Sequence, residues 1–117
     1  MSFNHVTEAD LKYFRELLPG RVFSGEDIST DYDHDEMTIY GHYMPEAVLQ
    51  ALTTEDVSAV LKYCNEHNIA VTPRGAGTGL CGGCVAIHGG VVLSTEKMKK
   101  VIEVDVKNMT ATVEPGV

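Results

Sequence analysis

The sequence predicts an α+β fold in which helices pack against a small mixed sheet. Three observations support this prediction. An amphipathic helix lies between two short apolar stretches, which is the pattern of a βαβ unit. Two further stretches of strand-forming residues flank Lys107-Asn108, which is the pattern of a β-hairpin. The length of 117 residues suffices for one small domain with a single core.

The first predicted element is a helix that begins at Thr7, because Glu8 and Asp10 then lie at the positive end of the helix dipole. Pro19-Gly20 ends this helix. Its apolar stripe consists of Leu11, Phe14, Leu17 and Leu18. The helix and the polar residues after it are predicted to form an N-terminal segment, residues 1–42, ahead of the main folded part, residues 43–117.

The stretch Gly25–Met44 is polar and is predicted to be irregular, apart from a short helical turn near Asp27–Asp31. Acidic residues concentrate in Gly25–Glu36, where either a solvated surface face or a cation site would explain them. A calcium-binding loop needs a glycine after the third acidic position and a glutamate at its end. Because neither is present, no metal site is predicted.

The clearest element is a helix that Thr53 or Thr54 caps and that Asn68 ends. Its apolar residues recur at helical spacing, and they are Val57, Val60, Leu61 and Cys64. Cys64 is therefore predicted to be a core residue. The flanking strands are Ala47–Ala51 and Ile69–Thr72, and a helix between them predicts that they pair in parallel with a right-handed crossover.

Three elements are predicted after the middle of the chain. Gly90–Thr95 is a strand, and Thr95–Lys100 forms a short helical turn. Val101–Val106 and Thr110–Glu114 form the hairpin. The chain stops directly after this strand, which would lie near a sheet edge, so we expect a fragment of a longer protein.

Composition excludes several classes of function. The net charge is −8, from 17 acidic and nine basic residues, and no basic cluster is present, so a nucleic-acid partner is not expected. No run of roughly 18 apolar residues predicts a transmembrane helix. The start of the chain lacks the basic and apolar regions of a signal peptide, so a cytoplasmic location is expected. The odd count of three cysteines favours reduced thiols.

The stretch most informative about function is PRGAGTGLCGGCVAIHGG, Pro73–Gly90. Pro73 is predicted to end the preceding strand, and Gly75, Gly77 and Gly79 then alternate with Ala76 and Thr78. Alternate glycines let successive backbone N–H groups point into one concavity, which forms an anion-binding nest. The Thr78 hydroxyl adds a donor. Arg74 supplies either countercharge or a structural ion pair, and the sequence leaves both open.

Known phosphate-binding patterns do not describe this loop. The dinucleotide fingerprint G-x-G-x-x-G opens a helix, whereas here the spacing is G-x-G-x-G and the glycines that follow oppose a helix. A Walker A loop needs a lysine that is missing. Cys81-Gly-Gly-Cys84 has C-x-x-C spacing, but His88 would give only three metal ligands. Redox or metal chemistry thus stays a minor alternative to small residues packed where the backbone approaches a ligand.

HNIAVTPRGAGTGLCGG, preceded by TTEDVSAVLKY, resembles the FAD-binding domain of the vanillyl-alcohol oxidase and p-cresol methylhydroxylase (PCMH-type) superfamily. Within it, the chain is most similar to the group that contains the GlcD-type glycolate oxidases and the FAD-linked D-lactate dehydrogenases. The resemblance covers essentially the whole chain. It includes Tyr32-x-x-Asp35, Pro45-x-Ala47-Val48, GGVVLS and TATVEPGV, with Ala51 replacing a proline that is usual in the family. It implies the N-terminal half of such a domain, in which residues 43–117 form a truncated first subdomain.

The resemblance also implies which residues contact the cofactor. Loop residues would wrap the FAD pyrophosphate, Gly82 and Gly83 would lie beside the flavin or its ribityl chain, and Glu114–Val117 would lie near the adenine. The expected cofactor-binding residues are Pro73, Arg74, Gly75, Ala76, Gly77, Thr78, Gly79, Leu80, Gly82, Gly83 and Gly116. Because His88 lies outside the covalent attachment motif of some relatives, non-covalent FAD is expected.

The implied activity is oxidation of a 2-hydroxy acid such as D-lactate or glycolate. Electrons would pass to a protein acceptor, either an electron-transfer flavoprotein or an iron–sulfur subunit. The family's substrate-binding groups lie in later domains, so no catalytic residue is assigned here, and His5, His34, His42 and His67 are expected to be surface or structural residues. The alternative is a non-catalytic fold or interaction module without tight flavin binding.

Overall fold

A computed structural model describes residues 2–37, 39 and 41–117, and it is a mixed α/β structure as predicted. The two helices are α1 (Glu8–Leu17) and α2 (Thr54–Glu66). The six strands are β1 (Val22–Ser24), β2 (Ala47–Gln50), β3 (Val71–Arg74), β4 (Val91–Ser94), β5 (Val101–Asp105) and β6 (Thr110–Val113). One sheet has the order β1-β2-β4-β3, and β5 and β6 form a second sheet.

The two strands of the predicted βαβ unit are parallel, but the prediction that they pair with each other is wrong, because β4 lies between them and pairs with both. Val48 of β2 and Thr72 of β3 both pair with Val92 of β4, which therefore lies at the centre of the parallel part. β1, which sequence patterns did not predict, adds antiparallel to the other side of β2. The small mixed sheet thus has β1 and β3 as its edges.

Pro73 lies inside β3, so the prediction that it ends the strand before it is wrong. The strand extends to Arg74, and Pro73 pairs with Leu93. The carbonyl groups of Ala70 and Arg74 accept hydrogen bonds from the β4 side, so the backbone of Pro73 faces the open edge. A proline is tolerated there because no neighbouring strand needs its missing N–H.

Helix α1 begins with a complete capping box. Thr7 Oγ1 accepts from Asp10 N at 3.2 Å, and the Asp10 carboxylate accepts from Thr7 N at 2.8 Å. The other oxygen of Asp10 accepts from the Tyr63 hydroxyl at 2.5 Å and thereby joins α1 to α2. Burial and this carboxylate raise the pKa of Tyr63 to about 12. The predicted cap thus also fixes the position of one helix against the other.

Helix α2 begins at a predicted cap, and its C-cap is His67, one residue before the predicted Asn68. Thr53 caps it by accepting from Asp56 N at 3.1 Å, and Asn68 adopts a positive φ of 52° just after its last turn. Cys64 is buried, as predicted. Leu61, which was expected on the apolar stripe, is 46% exposed because it faces a surface groove instead of the sheet.

The sheet buries both of its faces. One cluster joins Phe14, Leu49, Val60 and other apolar residues of the helices and strands, and a smaller one contains Ile28, Val48, Ala86 and Val92. Both sides of the predicted boundary between residues 42 and 43 contribute to one sheet and one core. The division into 1–42 and 43–117 itself stays a prediction.

The hairpin of β5 and β6 forms as predicted, with an antiparallel register that pairs Asp105 with Thr110. It is anchored through its end, where Glu114 N donates to Lys100 O and Gly116 N donates to Met98 O. Its apolar side chains stay exposed; they include Val101, Ile102, Val104 and Val113. The stretch Thr95–Lys100 is a turn closed by Met98 N to Thr95 O, not the expected helical turn.

Within residues 25–37 of the polar stretch after β1, the structure has two short 3-10 helices, Gly25–Asp27 and Thr30–Asp33, where one helical turn was expected. Tyr43 N donates to Asp33 O at 2.8 Å, which brings the two ends of the following loop together. Among the residues described, no helix has the length and apolar character needed to cross a membrane.

Candidate functional site

The glycine-rich loop begins at Gly75, directly after β3, and so lies at the carboxyl end of a parallel strand. In open α/β sheets, ligands bind in the crevice outside these strand ends. Thr95, which follows the neighbouring strand β4, donates its N–H to Arg74 O at 2.9 Å. This bond fixes the start of the loop against the end of β4.

The loop presents a row of free donors. Within the part of the chain that the structure describes, the N–H groups of Ala76, Gly77, Thr78 and Gly79 form no hydrogen bond to the protein. They border a cavity of about 370 Å³ that the loop itself lines together with Asp35. A row of unbonded backbone N–H groups along one open cavity suits an anion.

Two glycines keep the cavity open. A Cβ atom built at Gly79 or Gly83 would meet no atom within 4 Å, so neither glycine is required by packing within the chain. Both can therefore admit a bound group close to the backbone. Gly77 differs, because its φ is +75° and a Cβ there would lie 2.1 Å from Arg74 Nη2. Gly77 is needed for the packing of Arg74.

Arg74 is 5% exposed, and its guanidinium binds backbone groups of the acidic stretch. Nη2 donates to Asp31 O at 2.6 Å, and Nη1 donates to His34 O at 2.9 Å. The guanidinium carbon lies 5.3 Å from the centre of the Tyr32 ring. Arg74 thus joins the loop to the segment that contains both 3-10 helices. Its expected contact with a cofactor stays a prediction.

Asp35, which belongs to the same acidic segment that Arg74 contacts, is hydrogen-bonded to the glycine-rich loop. Its carboxylate accepts from Gly82 N at 2.8 Å and from Met37 N at 2.7 Å, while Glu36 N donates to Gly79 O at 3.2 Å. Asp35 is only 2% exposed, so the expectation of a solvated acidic face is wrong at this position. Composition could not single out this carboxylate, and only the Tyr32-x-x-Asp35 spacing pointed to it.

A second cavity of about 400 Å³ lies on the other side of Ala76 and Gly77. Its lining includes the side chains of Asp31, Glu36 and Glu96. Burial and the Glu96 carboxylate raise the pKa of Tyr32, whose hydroxyl lies 3.4 Å from that carboxylate. The second cavity also has Arg74 in its lining, but only the first cavity borders all four residues with unbonded N–H groups, so the first is the side of the loop that suits an anion.

The remaining predicted residues lie at different distances from the nest. Leu80 is 59% exposed and lines the first cavity, as does Cys81. Gly116 packs under the turn after β4, where a Cβ would lie 1.8 Å from Thr95 O. His88 lies away from the nest, with its ring 5.5 Å from that of Phe3. The cofactor contacts assigned to the whole set remain predictions.

The three cysteines are free thiols in different surroundings. Cys81 is exposed, and Cys84 Sγ lies 3.6 Å from Arg74 Nη1. Cys64 is buried between α2 and the sheet, and burial raises its pKa to about 11. Only Cys81 and Cys84 therefore belong to the glycine-rich loop.

Comparisons with known proteins agree with this geometry. A family model described as FAD binding domain matches residues 45–117. The D-lactate dehydrogenase of Anaerostipes hadrus is 47% identical over 115 residues, which are 98% of this chain and 24% of that protein. The glycolate oxidase subunit GlcD of Bacillus subtilis strain 168 is 43% identical over 86 residues, covering 74% of this chain and 18% of that protein.

Among solved structures, p-cresol methylhydroxylase with substrate bound superimposes with a TM-score of 0.81 and 31% identity, covering 99% of this chain and 24% of that one. The chain thus spans about a quarter or less of the length of these relatives. The family match includes the glycine-rich loop, β4 and the hairpin. The chain therefore belongs to the FAD-binding domain family of FAD-linked oxidoreductases and has the PCMH-type fold.

Proposed function

We propose that this chain forms the pyrophosphate-binding wall of an FAD site in an oxidoreductase that oxidises a 2-hydroxy acid. The observation that carries the proposal is the row of N–H groups from Ala76 to Gly79, which have no partner among the described residues and border an open cavity. A hydrogen bond from an N–H group to a charged acceptor contributes about 1.5–3 kcal/mol. The Thr78 hydroxyl, which is exposed beside the row, adds a further donor.

The residues present fit a pyrophosphate better than the flavin ring. The cavity offers backbone donors and open glycine positions, and no aromatic side chain lines it within the described residues. We assign Pro73–Leu80 to the pyrophosphate, Gly82 and Gly83 to the neighbouring ribityl or flavin part, and Gly116 to the adenine end. Attachment is proposed to be non-covalent, since His88 lies apart from the loop beside Phe3.

The proposed substrate class rests on the relatives, which are a D-lactate dehydrogenase and a glycolate oxidase subunit. A bound flavin would supply the hydride acceptor for oxidation of the hydroxyl-bearing carbon. No residue of this chain is assigned a catalytic role. The proposed electron acceptor is a protein, either an electron-transfer flavoprotein or an iron–sulfur subunit, and the proposed location is the cytoplasm.

The first experiment compares ligands that share or lack the pyrophosphate. Calorimetric titration of the chain with FAD, ADP and riboflavin should give measurable affinity only for the two that carry pyrophosphate. We expect this affinity to be weak, because a single wall of a cleft restricts the ligand without enclosing it. Submicromolar FAD binding would contradict that expectation. Equal binding of riboflavin and ADP would contradict the assignment of the nest.

Two variants locate the interaction. Thr78→Val should weaken binding of both FAD and ADP about tenfold, since one hydrogen bond to a charged group is lost. Thr112→Val, on the exposed face of β6, is the matched control and should change neither affinity. In the full-length gene product, bound flavin should appear as visible absorbance of the purified protein. A colourless protein that cannot be reconstituted with FAD would refute the proposed activity.

A further inference from the structure

A cluster of Asp33, His34 and His42 lies outside the proposed flavin cavity. The backbone bond from Tyr43 N to Asp33 O closes the loop between them, so the two histidines flank the point of closure. This closure uses main-chain atoms only. The three side chains are therefore brought together by the fold of the loop, without help from a ligand.

The donor atoms of the cluster converge. Nδ1 of His34 and Nδ1 of His42 both contact Oδ1 of Asp33, the second at 3.0 Å. All three atoms lie within 4.8 Å of one another, and the two rings are 5.0 Å apart at an angle of 50°. Around tetrahedral zinc, with bonds of about 2.0–2.1 Å, ligand atoms stand roughly 3.3 Å apart. The His42 pair is close to this value, whereas His34 Nδ1 and Asp33 Oδ1 are hydrogen-bonded at closer range, so a small rotation of the His34 side chain would admit the ion.

We propose that Asp33, His34 and His42 form a zinc site with three protein ligands and an open fourth position. Two imidazoles and one carboxylate are a ligand set that suits Zn²⁺, whereas Ca²⁺ and Mg²⁺ prefer oxygen ligands alone. The cation would replace the protons that now lie between the rings and the shared carboxylate oxygen. The sequence predicts no metal here because the spacing of its acidic residues matches no calcium-binding loop.

The surrounding charge favours a cation. Asp31 and Glu36 are exposed in the same segment, and the whole chain carries a net charge of −8. Arg74 also contacts this segment, but its guanidinium is already bound to the carbonyl groups of Asp31 and His34. Arg74 therefore contacts the backbone of this segment, whereas the Asp33 carboxylate contacts the two histidines.

Zinc at this site would act on the glycine-rich loop through the chain that braces it. Asp35, two residues after Asp33, accepts from Gly82 N, and Glu36 N donates to Gly79 O. A zinc ion that joined Asp33 and His34 to His42 would therefore stabilise the segment that makes both hydrogen bonds to the glycine-rich loop. The site would be structural, and its occupancy does not depend on the flavin.

The test is a calorimetric zinc titration of the chelator-treated 117-residue chain. We expect one Zn²⁺ per chain and a rise in the thermal unfolding temperature on saturation. His34→Gln and His42→Gln should each weaken zinc binding about tenfold or more and abolish the temperature rise. Both variants should keep the far-UV spectrum of the unaltered chain, because His42 is 61% exposed and His34 is part exposed, and each substitution removes only one side-chain hydrogen bond, to Asp33.

His5→Gln is the matched control. His5 also contacts a carboxylate, Glu46, at 3.0 Å, but it is 93% exposed and no second histidine among the described residues shares that carboxylate. This variant should bind zinc within about twofold of the unaltered chain. The proposal would be overturned if the chain bound no zinc. It would also be overturned if both cluster variants still bound zinc, or if the control variant lost as much zinc affinity as they do. Cobalt substitution adds a readout, since visible bands typical of tetrahedral Co²⁺ should appear only when both histidines are present.

Discussion

In two glycine-rich turns of this molecule, a glycine N–H donates to a carboxylate, but the space around the glycines differs. Gly90 N donates to Glu46 Oε2 at 2.6 Å, and Gly82 N donates to Asp35 Oδ2 at 2.8 Å. At Gly90, however, a Cβ would lie 2.2 Å from Ala70 O, whereas at Gly79 it would meet nothing within 4 Å. The first turn is closed by its own chain, and the second is held open.

The difference shows that a glycine has to be interpreted from what surrounds it. Gly90 satisfies a backbone requirement, because its φ of +69° and its contact with the residue before β3 leave no room for a side chain. Gly79 has no such contact among the described residues, and its open position leaves room for a bound group. Four predictions test this contrast, beginning with the largest expected effect.

Gly90→Ala should lower the free energy of unfolding by about 3 kcal/mol, because the new Cβ meets a carbonyl oxygen and the φ is strained. Gly79→Ala should change it by less than about 0.5 kcal/mol while weakening ADP binding. Urea denaturation followed by circular dichroism measures both. Equal losses of stability would show that the glycine-rich loop is as tightly packed as the turn before β4.

Arg74→Lys should lower the free energy of unfolding by about 2 kcal/mol, since a lysine cannot reach the carbonyl groups of Asp31 and His34 in the same geometry. Arg15→Lys, on the exposed side of α1, is the control and should be nearly neutral. The same denaturation curves apply. An unaffected Arg74→Lys chain would mean that the acidic segment is held to the loop by other contacts.

Asp35→Asn should lower the free energy of unfolding by about 1–2 kcal/mol, because an amide can accept only one of the N–H groups that the carboxylate now accepts. Glu36→Gln tests the neighbouring exposed carboxylate and should have no measurable effect. If both substitutions lower the free energy of unfolding equally, the hydrogen bonds of the buried Asp35 carboxylate contribute no more to stability than the exposed Glu36 carboxylate does.

The smallest effect concerns chemical access, not stability. Iodoacetamide should modify Cys81 and Cys84 in the folded chain and leave Cys64 unmodified, since the thiolate is the reactive form and burial raises the pKa of Cys64 to about 11. Mass spectrometry should detect two adducts in buffer and three after unfolding in urea. Rapid modification of Cys64 in buffer would contradict the packing of α2 against the sheet.

Local signals in the sequence predicted most of the fold. Thr53, Asn68 and the apolar spacing between them define α2, and the hairpin follows from alternation around a short turn. β1 escaped prediction because it has only three residues and depends on pairing with β2, which lies far along the chain. The insertion of β4 between β2 and β3 is likewise a long-range event that no local pattern encodes.

The candidate site likewise has features that follow from local sequence and features that depend on distant segments. The nest could be predicted because alternate glycines act through their own backbone, without a distant partner. The roles of Arg74 and Asp35 could not, since each depends on a segment that is distant in the sequence. The convergence of Asp33 with His42 also needs the closed loop, which no local pattern predicts.

The open edge of β3 has a consequence for solubility. A strand from a second molecule that aligned along this edge would find the N–H of Val71 but none at Pro73, so the ladder of hydrogen bonds would be interrupted after a few residues. The other edge, β1, is only three residues long. Both borders of the sheet are therefore poor templates for aggregation, and a concentrated solution of the chain should resist association through them.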